Sequence, residues 1–217
     1  LLFMSFRRIG PSKGAAIKNS NPIFTILFAL LFLGETITVY PLLGILCVII
    51  GLAIQGYFMI QKAGAGNSEN KINKTGYIFA LVSALSFGIG QGIRKLGLAE
   101  IYDPYFGAFV STFVALIMNL ILEARKKSLK SHFLNQFKKV NLNYVMAGIF
   151  TSIAMVSFFL SIVFIPISYV SVVAAIEPIL TIILSKVLLK DKESIPLHTT
   201  ISSCVIFIGV VIIVIFI

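Results

Sequence analysis

The sequence predicts an all-α membrane protein, a polytopic bundle of transmembrane helices. Three observations lead to that class. Apolar runs of about 20 residues recur along the chain, the length a helix needs to cross the hydrocarbon core of a bilayer. Only 12% of the 217 residues are charged, against about a quarter in a soluble domain, and the mean hydropathy is +1.01. The runs are too long for barrel strands, and they lack the alternation such strands show.

Taken in order, residues 1–6 read as the tail of a helix whose start is missing. The chain opens inside an apolar stretch without an initiator Met or a signal-peptide charge cluster, so an N-terminally truncated sequence is expected. Residues 7–13 (RRIGPSK) carry turn residues and read as a loop. A first complete span covers 14–33, followed by the polar turn Gly34-Glu35-Thr36. A second covers 39–60, with Tyr40 and Tyr57 near its ends, where aromatic rings favour the membrane interface. Residues 62–74 are rich in Gly, Asn, Ser and Lys and read as a flexible connector. A third span covers 76–93. On it Ala80, Ala84, Gly88 and Gly92 recur every fourth residue, a ridge of small side chains that lets another helix approach closely. The spacing of Gly88, Gly90 and Gly92 does not fit a phosphate loop, and no strand precedes it.

A fourth span covers 106–122. Residues 123–143 form the longest polar segment and fit an amphipathic surface helix built on Leu129, Phe133, Leu134 and Phe137. A fifth span covers 144–164, the tight link Ile165-Pro166-Ile167-Ser168 follows, and a sixth covers 169–189. After a charged turn at 190–197, a seventh covers 199–217. This gives seven complete transmembrane helices.

The chain also repeats itself. At a constant offset of 156 residues, Ser5 falls on Ser161, Ile9 on Ile165, Ser12 on Ser168, Pro22 on Pro178, Thr25 on Thr181 and Glu35 on Asp191. After a shift of two more residues, Gly51 falls on Gly209. The two copies divide the chain into residues 1–62, a linker at 63–74, and residues 75–217.

The net charge of +10 does not point to nucleic acid, because no basic-aromatic module stands apart from the spans. The cations sit in short loops, as membrane topology demands. Arg7, Arg8, Lys13, Lys62, Lys71, Lys74, the cluster from Arg125 to Lys139, Lys190 and Lys192 fall on one side. Arg94 and Lys95 fall on the other. The positive-inside rule places the richer side in the cytoplasm and the C-terminus outside. Cys47 and Cys204 lie within apolar runs as small hydrophobes, and no metal or disulfide spacing is present. His132 and His198 lie in loops without a metalloprotease or Asp-rich motif, which disfavours a membrane-embedded enzyme. A channel would show polar rings at matched depth, and the polar residues here are scattered.

Pro22, followed by Leu30-Leu31-Phe32-Leu33-Gly34-Glu35 and then Gly44 and Gly51, resembles the end of an EamA-type repeat of the drug/metabolite transporter (DMT) superfamily. Residues 77–88 (YIFALVSALSFG) are similar to the opening helix of such a repeat, and residues 75–217 look like a full second repeat. The second copy departs in one place, with Lys190-Asp191 where the first has Gly34-Glu35. The resemblance implies a ten-helix fold of two inverted five-helix repeats, of which this chain lacks the first two helices and most of the third. It implies a secondary transporter or exporter of small metabolites such as amino acids or drug-like compounds, in the cell membrane, without a cofactor. A carrier of sugar phosphates or nucleotide-sugars in the same superfamily is the alternative. It also implies a C-terminus inside, against the charge bias.

Glu177 is the only acid deep within a span. A carboxylate there is costly and faces a cavity or a partner, so it can bind a cationic group or a coupling proton, or pair with a neighbour and hold two helices together. Asn21 is its equivalent in the first copy, and Lys18, one turn earlier, shares a face with Asn21. Lys18, Asn21 and Glu177 are therefore expected to converge, unless Lys18 snorkels to the interface. Pro22 and Pro178 each remove a helical hydrogen bond one turn back and predict helix breaks at equivalent places, as in transporters with discontinuous helices. Asn19, Gln91, Ser157, Ser161, Tyr169 and Ser171 are further polar candidates for a cavity wall, each with helix–helix hydrogen bonding as the plainer role. Glu35 and Asp191 read as helix caps.

Overall fold

The computed structural model describes residues 1–65, 74–125, 142–177, 180 and 197–216, and among these no strand occurs. Helices α1 (Leu2–Ile9), α2 (Pro11–Lys18), α3 (Asn21–Phe32) and α4 (Val39–Ala65) come from the first copy. Helices α5 (Lys74–Glu100), α6 (Pro104–Arg125), α7 (Leu142–Phe164), α8 (Ile167–Val173) and α9 (Leu197–Phe216) come from the second, with a 3-10 turn at Ala174–Ile176. Among the described residues, four helices are long and apolar enough to cross a membrane, at Val39–Phe58, Lys74–Glu100, Pro104–Leu122 and Leu142–Phe164. Shorter apolar helices lie at Asn21–Leu33, Ile167–Ile176 and Ile201–Phe216. The chain is a multi-pass membrane protein. Residues 126–141 of the expected surface helix and most of the span at 169–189, including Pro178, lie outside the described residues; 123–125 and 142–143 belong to α6 and α7.

Two local expectations are corrected. Residues 7–13 are not a loop: α1 runs through Arg7 and Arg8 to Ile9, and α2 starts at Pro11. Only Gly10 separates them, with φ at 86°, a backbone conformation other residues rarely adopt. The span at 14–33 is not one helix. It divides into α2 and α3 at Asn19–Ser20.

The chain packs as two units, residues 1–93 with 166–217, and residues 94–165. Small residues make two close helix contacts in the first unit. The small-residue ridge of α5 makes one of them. Ala80 and Ala84 are fully buried, and a Cβ added at Gly88 would meet Phe24 Cβ at 2.7 Å and Thr25 N at 2.9 Å. The missing side chain at Gly88 is what brings α5 onto α3. The other contact joins α4 and α9. Tyr40 stacks on Phe216 with ring centroids 4.8 Å apart, Gly44 lies against Gly209 and Ile213, and Gly51 lies against Ser202 and Ile206. Residue numbers rise along α4 as they fall along α9, so these two helices run antiparallel.

In the second unit, Asp103 caps α6, accepting the N–H groups of Tyr105 at 2.9 Å and Phe106 at 3.1 Å. This satisfies donors that the first turn of a helix leaves open. At the same end of this unit, Lys95 donates to the Ile162 carbonyl and lies 3.5 Å from that of Ile165. A cation there meets the orphan carbonyls and the negative end of the α7 dipole. Arg94 sits over the Phe158 ring at 6.0 Å. The two cations on the poorer side of the charge bias are thus engaged with protein groups. Lys95→Met is expected to cost about 1 kcal/mol, read as a drop of about 2–4 °C in the Tm of detergent-solubilised protein. An unchanged Tm would show that the capping contributes nothing.

Candidate functional site

Two of the candidate residues, Lys18 and Glu177, meet in the first unit, where one helix is interrupted and its counterpart in the repeat tightens. In the first copy, α2 ends at Lys18. Asn19 and Ser20 form a turn in which the Asn19 N–H reaches the Ala15 carbonyl at 2.9 Å and the Ser20 hydroxyl donates to the Ile17 carbonyl at 2.7 Å. Pro22 then sits in the first turn of α3, a position that needs no amide hydrogen. In the second copy, α8 tightens into the 3-10 turn at Ala174–Ile176 immediately before Glu177. At the offset of 156 this turn is the counterpart of the interruption at Asn19–Ser20, while the break expected at Pro178 lies outside the described residues.

Between these two places, Lys18 Nζ stands 3.8 Å from Glu177 Oε2. Lys18 is 20% exposed and Glu177 is 72% exposed. The Lys18 ammonium also lies 5.0 Å from the centre of the Phe87 ring, close enough for attraction to the ring face. Lys18 therefore turns inward to a carboxylate and an aromatic face rather than snorkelling. Asn21 is half-buried at the start of α3, and Asn19 is half-buried in the turn.

Gln91 joins the same region from α5. It is 5% exposed and its Oε1 lies 3.2 Å from the hydroxyl of fully buried Thr25. The Thr25 hydroxyl also donates to the Asn21 carbonyl at 3.1 Å. A hydroxyl carries one proton. The arrangement that satisfies all three groups turns the Gln91 amide so that its N–H donates to Thr25. The Asn21 carbonyl, the Thr25 hydroxyl and the Gln91 amide then form one polar chain joining α3 to α5.

Thr25 and Phe87 did not stand out in the sequence. The signal for Thr25 was its pairing with Thr181 in the repeat. Phe87 carried none, since one aromatic in a span rich in them is unremarkable. Other candidates are occupied locally. Ser161 donates to the Ser157 carbonyl at 2.8 Å within α7, and Ser171 donates to the Ser168 carbonyl at 2.9 Å. Tyr169 is buried in α8.

The sequence pattern of the EamA-like transporter family matches residues 1–56 and 74–215. The chain belongs to the EamA-like transporter family. Two relatives, each named an uncharacterized transporter, occur in Helicobacter pylori, strains ATCC 700392 / 26695 and J99 / ATCC 700824. Each is 32% identical over 139 residues, a stretch covering 64% of this chain and 44% of the relative. This EamA chain thus matches less than half the length of those relatives. Its kinship and its apolar helices place it in a family of membrane transporters.

Proposed function

We propose that the protein is a secondary transporter of small metabolites, amino acids or drug-like compounds, that works by alternating access with substrate met at Lys18, Asn21 and Glu177. The observation that carries this reading is the ion pair of Lys18 with Glu177. A carboxylate in a membrane protein is costly against lipid, and one that stays 72% exposed beside its partner fits the wall of a cavity. There it can receive a cationic group of a substrate or a coupling proton. Half-buried Asn19 and Asn21 supply neutral donors and acceptors, and the turn before Pro22 offers unwound backbone beside them. The antiparallel packing of α4 on α9, helices matched by the sequence repeat, supports an inverted relation between the copies. A carrier of phosphorylated sugars would call for cations free to meet the phosphate, whereas Lys18 is already paired with Glu177.

In the full-length protein, Glu177→Gln keeps the shape and removes the charge. It is expected to lower transport about tenfold or more, the loss of one charge-assisted interaction, at unchanged expression. Amino acids and nucleosides, screened for uptake and efflux, are the substrates to test. Wild-type rates in that variant would sink this reading.

A further inference from the structure

Glu35 lies in the turn after α3, yet its carboxylate serves another helix of the same unit. Its Oε1 accepts the Ile167 N–H at 2.7 Å, and its Oε2 accepts the Ser168 N–H at 3.1 Å and the Ser168 hydroxyl at 2.7 Å. These are the first residues of α8, whose opening N–H groups have no partner within the helix. The residue preceding α8 is Pro166, which offers no side-chain cap. Glu35 supplies that cap from a distance in sequence of more than a hundred residues. The bonds are charge-assisted, and an anion is favoured at the positive end of a helix. The base of the carboxylate is itself fixed. Gly34 takes a φ of 64°, so that the Glu35 N–H folds back to the Ala29 carbonyl at 3.3 Å, beside that of Leu33 at 3.1 Å.

The helices joined in this way are the two that flank the ion pair. Glu35 follows the C-terminal end of α3 and holds the N-terminal end of α8. Lys18 precedes the N-terminal end of α3 and meets Glu177 just past the C-terminal end of α8. The pair α3 and α8 is thus tied at both ends. Helix α8 has seven residues, too few to set its own direction. Ten residues at about 1.5 Å each place Glu177 about 15 Å from the cap, so a small tilt at the capped end displaces the carboxylate appreciably.

We propose that Glu35 is a positioning residue for Glu177, holding α8 by its N-terminus so that the Glu177 carboxylate meets Lys18. Its relevance to transport rests on the reading of Glu177 given above. The position itself can be tested without any substrate. In the full-length protein with Cys47 and Cys204 replaced by Ala, a reporter cysteine at 177 (E177C) is reacted with a maleimide in the native Glu35 and E35Q backgrounds. Gln can still accept one bond, but it loses the charge and sets an NH₂ group against the Ser168 donors. E35Q is expected to raise the reaction rate at 177 roughly fivefold, the shift allowed by a lost helix cap, while a cysteine at Glu100 (E100C) reacts as before. Equal rates at 177 in the two backgrounds overturn the proposal. So does an equal rise at both positions, which marks general loosening. If E35Q does not accumulate, Ser168→Ala removes only the hydroxyl bond and is expected to raise the rate about twofold; no change there overturns the proposal equally. A wild-type protein that moves none of the tested compounds would instead count against the transport site and leave the reactivity result standing.

Discussion

Gly209→Leu is expected to prevent accumulation of folded protein. A Cβ at Gly209 would fall 2.6 Å from the Gly44 carbonyl oxygen, and one at Gly44 would fall 2.7 Å from the Gly209 carbonyl oxygen. The obstacle in each direction is backbone, so no rotamer change relieves it and α4 and α9 must separate. Separation would open the contact that buries Val48, Ile206 and Ile213 completely. Within a bilayer such helix pairs are held by close packing, not by hydrophobic exclusion of water, so lost contact is not recovered elsewhere. The cost should exceed the roughly 1–3 kcal/mol typical of overpacking. Gly209→Ala makes the comparison decisive. In an open helix site the change from Gly to Ala stabilises by about 0.5–1 kcal/mol. Gly90 in α5 is such a site, with nothing within 4 Å of an added Cβ. Gly90→Ala should raise the Tm in detergent and Gly209→Ala should lower it. A rise in both would show that the two helices do not touch at Gly209.

The sequence states the hydrophobic design directly. Apolar run length alone located the long helices, because a span in lipid must satisfy its backbone internally and so must be helical. The small-residue ridge on α5 was also legible, since a close contact requires small residues at helical spacing whatever the partner. The repeat went further. It paired Pro22 with Pro178 and Asn21 with Glu177, and it pointed to the meeting of Lys18 with Glu177. Other features were not legible, for a common reason: they depend on partners far away in sequence. Residues 7–13 carry charge, Gly and Pro, the usual marks of a loop, yet one left-handed glycine is enough to separate two helices there. Glu35 read as a cap, but nothing local showed that the helix it caps begins at Ile167. Ser12 and Ser168 were paired by the same offset as Glu35 and Asp191, so the residue types of this contact recur in the other copy, where Asp191 lies outside the described residues. Thr25 looked like any threonine in a span until Gln91 was found against it.

Charge reversal at the ion pair separates a structural role from a transport role, and the two readings predict different outcomes. Lys18→Glu places a second carboxylate beside Glu177 and removes the cation from the Phe87 face. It is expected to lower the Tm by a few degrees and transport by about tenfold or more, from like-charge repulsion and the lost cation–π contact. The exchange Lys18→Glu with Glu177→Lys restores opposite charges across the same gap. If the pair served only to join two helices, both stability and transport would recover in the part owed to charge, since either orientation supplies the attraction and only the contact with Phe87 stays lost. If Glu177 receives a cationic group or a proton, the exchange recovers stability alone, because an ammonium now stands where the carboxylate is needed. The second outcome is expected. The stability term itself should be small, about 0–1 kcal/mol, as for other pairs with an exposed partner, and a double-mutant cycle on Tm measures it. A small coupling in stability beside a large unrescued loss in transport is the signature of a site. Recovery of transport by the exchanged pair would assign Lys18 and Glu177 to scaffolding and move the search for substrate contacts to Asn21, Thr25 and Gln91.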